Sequence, residues 1–429
     1  MEISALRTRD RLLLWAVVAG IVGSLVGLAF RWSAMEMLHL WTGESGPARA
    51  FAQMTWWERL LLPALGGWLA GWVLRMASKG PIKGGDYLEA VVVGDGRIPV
   101  RETLWKSASA FVTIATGGSI GKEGPMVQLA ALCASMLGAW RRMTPENMRL
   151  LTACGGAAGI ACAYNAPIAG AFFVAEIALG SLRAIQMAPL VVAAVFSTAT
   201  VREINGEGPL YFVTQPVFGS FRELALFLLL GILCGLLTPI YLGGLRIVRE
   251  KFQRIPLALP QRMLLGGLVV GIAAIWIPEV AGNGHFAILD ILHGNRVWQF
   301  VAMLVVVKWI ATACCFGSGA VGGVFTPTLF TGTGLGFVFG AICTEAGLLP
   351  PGGEFAGAVV GMAALLAGAT RAPIMAMLMA MELTQDQSAL LPIMLACVAA
   401  SVIADRSSES PLYPAILIRG EPEQNPART

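Results

Sequence analysis

Two long uncharged stretches constrain this chain more than anything else in it. Residues 12–30 carry no charge between Arg11 and Arg31, and residues 224–245 carry none between Glu223 and Arg246. Each is close to the ~20 apolar residues that a helix needs to cross a bilayer. Inside lipid every backbone polar group must find its partner within the protein, which favours helices. The fold class expected is therefore an all-α integral membrane protein. Shorter apolar runs, residues 60–74 and 263–277, suit tilted or partial spans packed inside a bundle. Composition supports this reading: 13% of the 429 residues are charged, against about 25% in soluble domains. That deficit excludes an ordinary soluble enzyme.

The first run is too long for a cleaved secretory signal and lacks a clear small-residue cleavage site, so it reads as a retained helix. Arg7, Arg9 and Arg11 precede it, and Arg406, Arg419 and Arg428 lie near the other end. By the positive-inside rule both termini are expected in the cytoplasm. The net charge of +4 reads as topology, and no polybasic arm for nucleic acid is present. Cys133, Cys154, Cys162, Cys234, Cys314, Cys315, Cys343 and Cys397 show no C-x-x-C spacing and read as small buried hydrophobes. His39, His285 and His293 lie far apart in the sequence, so no metal site is predicted. No G-K-[ST] phosphate loop occurs, which speaks against ATP-driven transport. Phe316-Gly317-Ser318-Gly319 is not the G-x-S-G of rhomboid-like proteases, so no enzyme is expected. Glycine stands out, with 51 residues, well above the usual ~7%. It lets membrane helices approach closely and lets backbone approach a ligand.

The chain repeats itself weakly. Gly121-Lys122-Glu123-Gly124-Pro125 and Gly323-Val324-Phe325-Thr326-Pro327 share the pattern G-x-x-x-P, each after a Gly/Ser-rich stretch. Further on, Ala166-Pro167-Ile168 precedes Glu176 as Ala372-Pro373-Ile374 precedes Glu382, with the same spacing from Pro to Glu. The ordered pair of motifs predicts an internal duplication within a single membrane domain, 1–429. The halves are 1–205 and 217–429, and they meet in the polar stretch 202–216. Duplicated membrane halves commonly build a midplane site from helix ends, and an inverted repeat is expected.

The motifs suit an anion. Proline fits the first turn of a helix, where the N–H it lacks would be unpaired anyway. A helix N-terminus presents free N–H donors with a partial positive charge. Partial charges hold an anion loosely enough to release it, as a fixed lysine in a dry pore would not. Residues 119–125 and 317–327 are expected to face each other at the midplane, with the Val324 and Phe325 amides as donors and the Phe325 ring as an apolar wall. A carboxylate here is costly in lipid, which marks Glu123 as functional. Ionised, it occupies the helix-end site and blocks it; protonated or displaced by a permeant anion, it swings away. A salt bridge to Lys122 or another base is the plainer alternative. Glu176 and Glu382 read as paired structural groups bonding Arg371 or loop amides. Tyr413, in Ser410-Pro411-Leu412-Tyr413-Pro414, either donates its hydroxyl to an anion at the inner mouth or anchors the chain at the interface.

At these residues the chain resembles the CLC family of chloride channels and proton-coupled chloride transporters, from about residue 12 to 418. Gly121-Lys122-Glu123-Gly124-Pro125 resembles the family's G-[RK]-E-G-P, and Gly323-Val324-Phe325-Thr326-Pro327 its G-x-F-x-P segment. Asn165-Ala166-Pro167, with Gly170 and Glu176, matches another stretch, and Pro411-Leu412-Tyr413 resembles the segment with the anion-coordinating tyrosine. The resemblance implies a CLC-type inverted repeat of two halves with broken and tilted helices. It implies a homodimer with one independent pore per subunit, set in lipid in a bacterial inner membrane. It also implies Glu123 as the gating glutamate and anion contacts from Lys122, Gly124, Gly323, Val324, Phe325 and Tyr413, with bound chloride and no other cofactor.

Two departures sharpen the expectation. The family's G-S-G-I-P is missing, and the aligned region reads Pro81-Ile82-Lys83-Gly84-Gly85-Asp86-Tyr87-Leu88-Glu89. The serine that usually contacts the central anion has no counterpart, and Lys83 either alters the inner vestibule or faces the cytoplasm. This stretch is similar to the bacterial B-type branch, known as voltage-gated chloride channels. Proton-coupled members usually carry an inner glutamate where this chain has Ile177. No cytoplasmic nucleotide-binding tail is expected after Tyr413. The function predicted is passive conduction of chloride or a similar monovalent anion, gated by Glu123 in a voltage- or pH-dependent way, or both. The alternatives are proton-coupled chloride antiport, or transport of fluoride, nitrate or bicarbonate on the same fold.

Overall fold

A computed structural model of the chain describes residues 2–44, 46–77, 86–180, 182–206, 208–213 and 220–413. The first half runs α1 (Glu2–Thr42), α2 (Pro47–Gln53), α3 (Trp56–Ala77), α4 (Tyr87–Val92), α5 (Val100–Ala115), α6 (Glu123–Trp140), α7 (Pro145–Tyr164), α8 (Pro167–Phe173) and α9 (Ala184–Asn205). A single π turn, Val174–Ala178, prolongs α8. The second half runs α10 (Phe221–Arg254), α11 (Leu259–Trp276), α12 (His285–Leu292), α13 (Trp298–Gly317), α14 (Phe325–Glu345), α15 (Gly353–Thr370), α16 (Pro373–Thr384) and α17 (Leu390–Asp405). Among the described residues there is no strand, and one isolated backbone bridge joins Gly121 to Gly323. The two uncharged stretches lie inside α1 and α10. Seven of the described helices are long and apolar enough to cross a membrane, α11 among them. The helices that begin at Pro167 and Pro373 are shorter.

The sequence dictates where the helices break. Asn165 and Arg371 end α7 and α15 in the left-handed conformation, with φ of 55° and 57°. Ala166 and Ala372 follow with nearly the same geometry, φ −125° and ψ 82° against φ −126° and ψ 74°. A residue before proline is driven out of the helical region, and the prolines then start α8 and α16. The Ala-Pro-Ile motif is thus a device for ending one helix and restarting another within the membrane. Arg371 adopts its strained backbone with support: its side chain pairs with Asp405 at 2.7 Å and bonds the carbonyls of Gly368 and Ala404.

Glycine sets how closely the helices approach. A Cβ on Gly336 would stand 1.9 Å from the carbonyl oxygen of Gly357, and one on Gly357 would stand 2.3 Å from that of Gly336. The backbones of α14 and α15 are therefore in direct contact, which no side chain would permit.

The two halves brace each other reciprocally. Glu382 accepts hydrogen bonds from the N–H groups of Ile168 (2.9 Å) and Ala169 (2.7 Å) at the start of α8. Glu176 accepts from those of Ile374 (3.4 Å) and Met375 (2.8 Å) at the start of α16. Each carboxylate caps the equivalent helix of the other half, which is the signature of an approximate two-fold relation. Of the two bonding options read from the sequence, amides are the partners and Arg371 is not. The described part of the connection between the halves is not a free polar linker. Tyr211 is fully buried there, and its N–H donates to the Leu383 carbonyl at 2.9 Å.

Removing one of these caps leaves two helix-start amides without their charged partner. A hydrogen bond to a charged group contributes about 1.5–3 kcal/mol. Glu382→Ala is expected to cost about 2 kcal/mol and to lower the thermal unfolding midpoint in detergent, with Glu382→Gln in between. An unchanged midpoint in Glu382→Ala would show that the α8 amides have other partners.

Candidate functional site

The site forms where α6 and α14 begin. Gly121 and Gly323 exchange backbone hydrogen bonds, 2.7 Å from the Gly121 N–H and 2.9 Å from that of Gly323. The chain then turns into each helix at an N-cap, Lys122 or Val324, that makes no side-chain cap. Pro125 and Pro327 hold the third helical position in both. The first N–H to bond back into the helix is that of Met126 in α6 (to Lys122, 3.3 Å) and of Thr328 in α14 (to Val324, 3.0 Å). The amides of Glu123 and Gly124, and of Val324, Phe325 and Thr326, donate to no backbone carbonyl among the described residues and are free to face the gap. Such uncapped helix starts carry about half a positive charge each.

The Glu123 side chain is 4% exposed and fills part of that gap. Its Oε1 accepts a hydrogen bond from Asn283 Nδ2 at 2.7 Å. Its Oε2 is buried and has no hydrogen-bond partner among the described residues. That oxygen lies against the glycine bridge, since a Cβ on Gly121 would stand 2.0 Å from it. Gly121 is therefore needed for Glu123 to sit where it does. The salt bridge to Lys122 considered as an alternative does not form among the described residues.

A cavity of about 600 Å³ opens on this gap, lined by Glu123, Gly124, Gly323, Val324, Phe325 and Tyr413 among others. Phe325, Phe173 and Tyr413 line it, and their rings form one packed row that Tyr164 extends behind Phe325. Phe325 lies 5.2 Å from Tyr164 and 5.9 Å from Phe173, and Phe173 lies 5.4 Å edge-on from Tyr413. The Tyr164 hydroxyl and Thr326 Oγ1 are 2.8 Å apart. Away from Glu123 the cavity wall is charged. Asp86, Glu89, Arg246, Arg249 and Glu409 line it, and Arg246 pairs with Glu409 at 2.7 Å. A second space of about 300 Å³ shares Asp86, Gly124, Phe316 and Gly322 with it and reaches Lys106 on α5.

Six of the residues singled out by the sequence thus converge on one cavity. Lys122 is the half-buried N-cap beside it. Ile177 lies elsewhere, 7% exposed in the π turn after α8. Lys83 falls outside the described residues. Ser318 is buried, and its hydroxyl donates to the Cys315 carbonyl at 2.8 Å, while His285 faces Tyr211 at 3.1 Å. The Ser318 hydroxyl and the His285 ring therefore lie in separate contacts. Sequence reasoning missed Asn283, Tyr164 and Phe173. For Asn283 a signal existed: Gly282-Asn283-Gly284 is an asparagine set between glycines.

The sequence pattern of the family described as voltage gated chloride channel matches residues 62–405. The ClcB-like protein of Ralstonia nicotianae is 44% identical over 94% of this chain and 96% of its own length. The voltage-gated ClC-type chloride channel ClcB of Escherichia coli is 36% identical over 94% of this chain and 98% of its own. Among solved structures, a slow cyanobacterial Cl⁻/H⁺ antiporter superposes with a TM-score of 0.84 at 27% identity, covering 95% of this chain and 97% of its own. A CLC-type fluoride/proton antiporter superposes with a TM-score of 0.76 at 22% identity, covering 94% and 98%, a likeness of fold.

The edge-on contact of Tyr413 with Phe173 is the last link of the aromatic line. Such a pair contributes about 1 kcal/mol to holding the Tyr413 ring in place. Tyr413→Ala is expected to change the discrimination between chloride and nitrate in competitive flux assays. Wild-type discrimination in that variant would leave Tyr413 as a structural anchor.

Proposed function

The chain belongs to the CLC family of voltage gated chloride channels, and on that premise we propose that it conducts chloride or a similar monovalent anion passively across the membrane, with Glu123 as the gate. The observation that carries this reading is the convergence of two uncapped helix starts on a gap already occupied by a buried carboxylate. The carboxylate and a permeant anion compete for one seat. When Glu123 sits in it the path is closed; when an anion or a proton displaces it, the path opens. The amides of Gly124, Val324 and Phe325 supply the donors, and Tyr413 and Phe325 shape the wall. The same proposal takes in bound chloride as the sole ligand, a homodimer with one pore per chain, two repeat halves spanning 1–205 and 217–429, and a bacterial inner membrane with both termini cytoplasmic.

Passive conduction is preferred over coupled exchange because Ile177, apolar and buried, stands where coupled relatives usually carry an inner acid. A second reading, proton-coupled antiport, is supported by the likeness to the cyanobacterial antiporter. Liposomes decide between them. In the passive reading, proteoliposomes holding a chloride gradient discharge it when a potassium shunt is added and move no protons uphill. Chloride-driven proton accumulation would establish the antiporter. Glu123→Gln and Glu123→Ala are each expected to raise chloride flux and flatten its pH dependence. Unchanged flux and pH response in both would remove Glu123 from the mechanism.

A further inference from the structure

One charged residue interrupts the apolar helix α13. Lys308 is 1% exposed. Its ammonium donates to the carbonyl oxygens of Val280 (2.8 Å), Gly282 (3.0 Å) and Glu279 (3.4 Å). Three donors meet three acceptors, so one turn of chain takes the place of water around this charge. A buried ammonium without such partners is strongly disfavoured, and the turn is correspondingly fixed by it. The Gly282 N–H also donates to the Gly117 carbonyl at 3.1 Å, which ties the turn to the end of α5. Gly282 and Gly284 both take left-handed φ values, 73° and 97°, and a Cβ on Gly284 would stand 2.9 Å from Lys308 Cε.

Asn283 lies between these glycines. Its neighbours fix the orientation of its amide. The His285 N–H can only donate, so Oδ1 faces it at 3.3 Å, and Nδ2 is left facing Glu123 Oε1 at 2.7 Å. The other carboxylate oxygen has no partner among the described residues. The helix starts attract the carboxylate without choosing its orientation, whereas a hydrogen bond from a rigid turn chooses it. We propose that Asn283, held by the turn that Lys308 braces, is the positioning residue that seats the Glu123 carboxylate in the anion path and sets how strongly it competes with a permeant anion. The proposal rests on the reading of Glu123 as the gate.

The test is chloride efflux from proteoliposomes against chloride concentration, for wild type, Asn283→Leu, Asn283→Asp, Glu123→Ala and the double variant Glu123→Ala/Asn283→Leu. Asn283→Asp keeps the acceptor for the His285 N–H, so the turn is preserved if the leucine variant does not fold. A hydrogen bond to a charged group is worth on the order of tenfold in an equilibrium. Asn283→Leu is expected to lower the half-saturating chloride concentration about tenfold, with a larger effect there than on maximal flux; Asn283→Asp, whose added charge also repels chloride, is expected to lower it by less. With Glu123 absent, Asn283→Leu is expected to add nothing. An unchanged half-saturation in both Asn283 variants overturns the proposal, and so does an equal shift in the Glu123→Ala background, which a merely structural role would produce. If Glu123→Ala itself leaves flux unchanged, the gate reading fails and this inference falls with it.

Discussion

Two positive helix ends are held against each other across a pair of glycines, and the remainder of the structure follows from keeping them there. Each end carries roughly half a charge, so the arrangement is self-repelling until something negative sits between them. One carboxylate or one monovalent anion supplies about the opposite of their sum. That balance is what the proposed mechanism uses: in it, Glu123 and a permeant anion are alternatives for the same neutralising role, and both at once would overshoot it. The backbone exchange between Gly121 and Gly323 fixes the separation, and the direct backbone contact of α14 with α15 keeps the second helix from retreating.

The same two-fold logic recurs farther out. Glu176 and Glu382 each neutralise a helix start in the opposite half, so the short helices α8 and α16 are locked as a pair. Lys106 and Lys308 stand at equal offsets before Glu123 and Phe325, on α5 and α13. Their surroundings differ: Lys106 reaches a cavity wall, and Lys308 is consumed in bracing a turn. Equivalent positions in the two-fold frame therefore carry different contacts. Only the first half carries the tethered carboxylate; the equivalent position in the second is the Phe325 ring.

Much of this was legible in the sequence because it rests on local rules. Helix breaks at Asn165-Ala166-Pro167 and Arg371-Ala372-Pro373 follow from the conformational demands of proline and the residue before it. The two uncapped helix starts at Glu123 and Phe325 follow from the glycines and prolines around them. What escaped was non-local. Asn283 reaches Glu123 from a turn far away in the chain, and no spacing rule connects them. The Glu176 and Glu382 partners are amides of the opposite half, which only the assembled two-fold brings within reach. Lys308 was visible as the one charge between Arg296 and Glu345, and an intramembrane charge is a functional flag; its role as a brace required the carbonyls of residues 279–282 to be seen around it.

The reversal potential of the reconstituted protein under crossed chloride and pH gradients measures most directly whether the seat trades one negative charge for another without moving protons in a fixed ratio. Passive conduction gives a reversal potential that follows the chloride gradient and ignores the pH gradient. A reversal potential that shifts with the pH gradient in a constant proportion would contradict it and make the protein an exchanger.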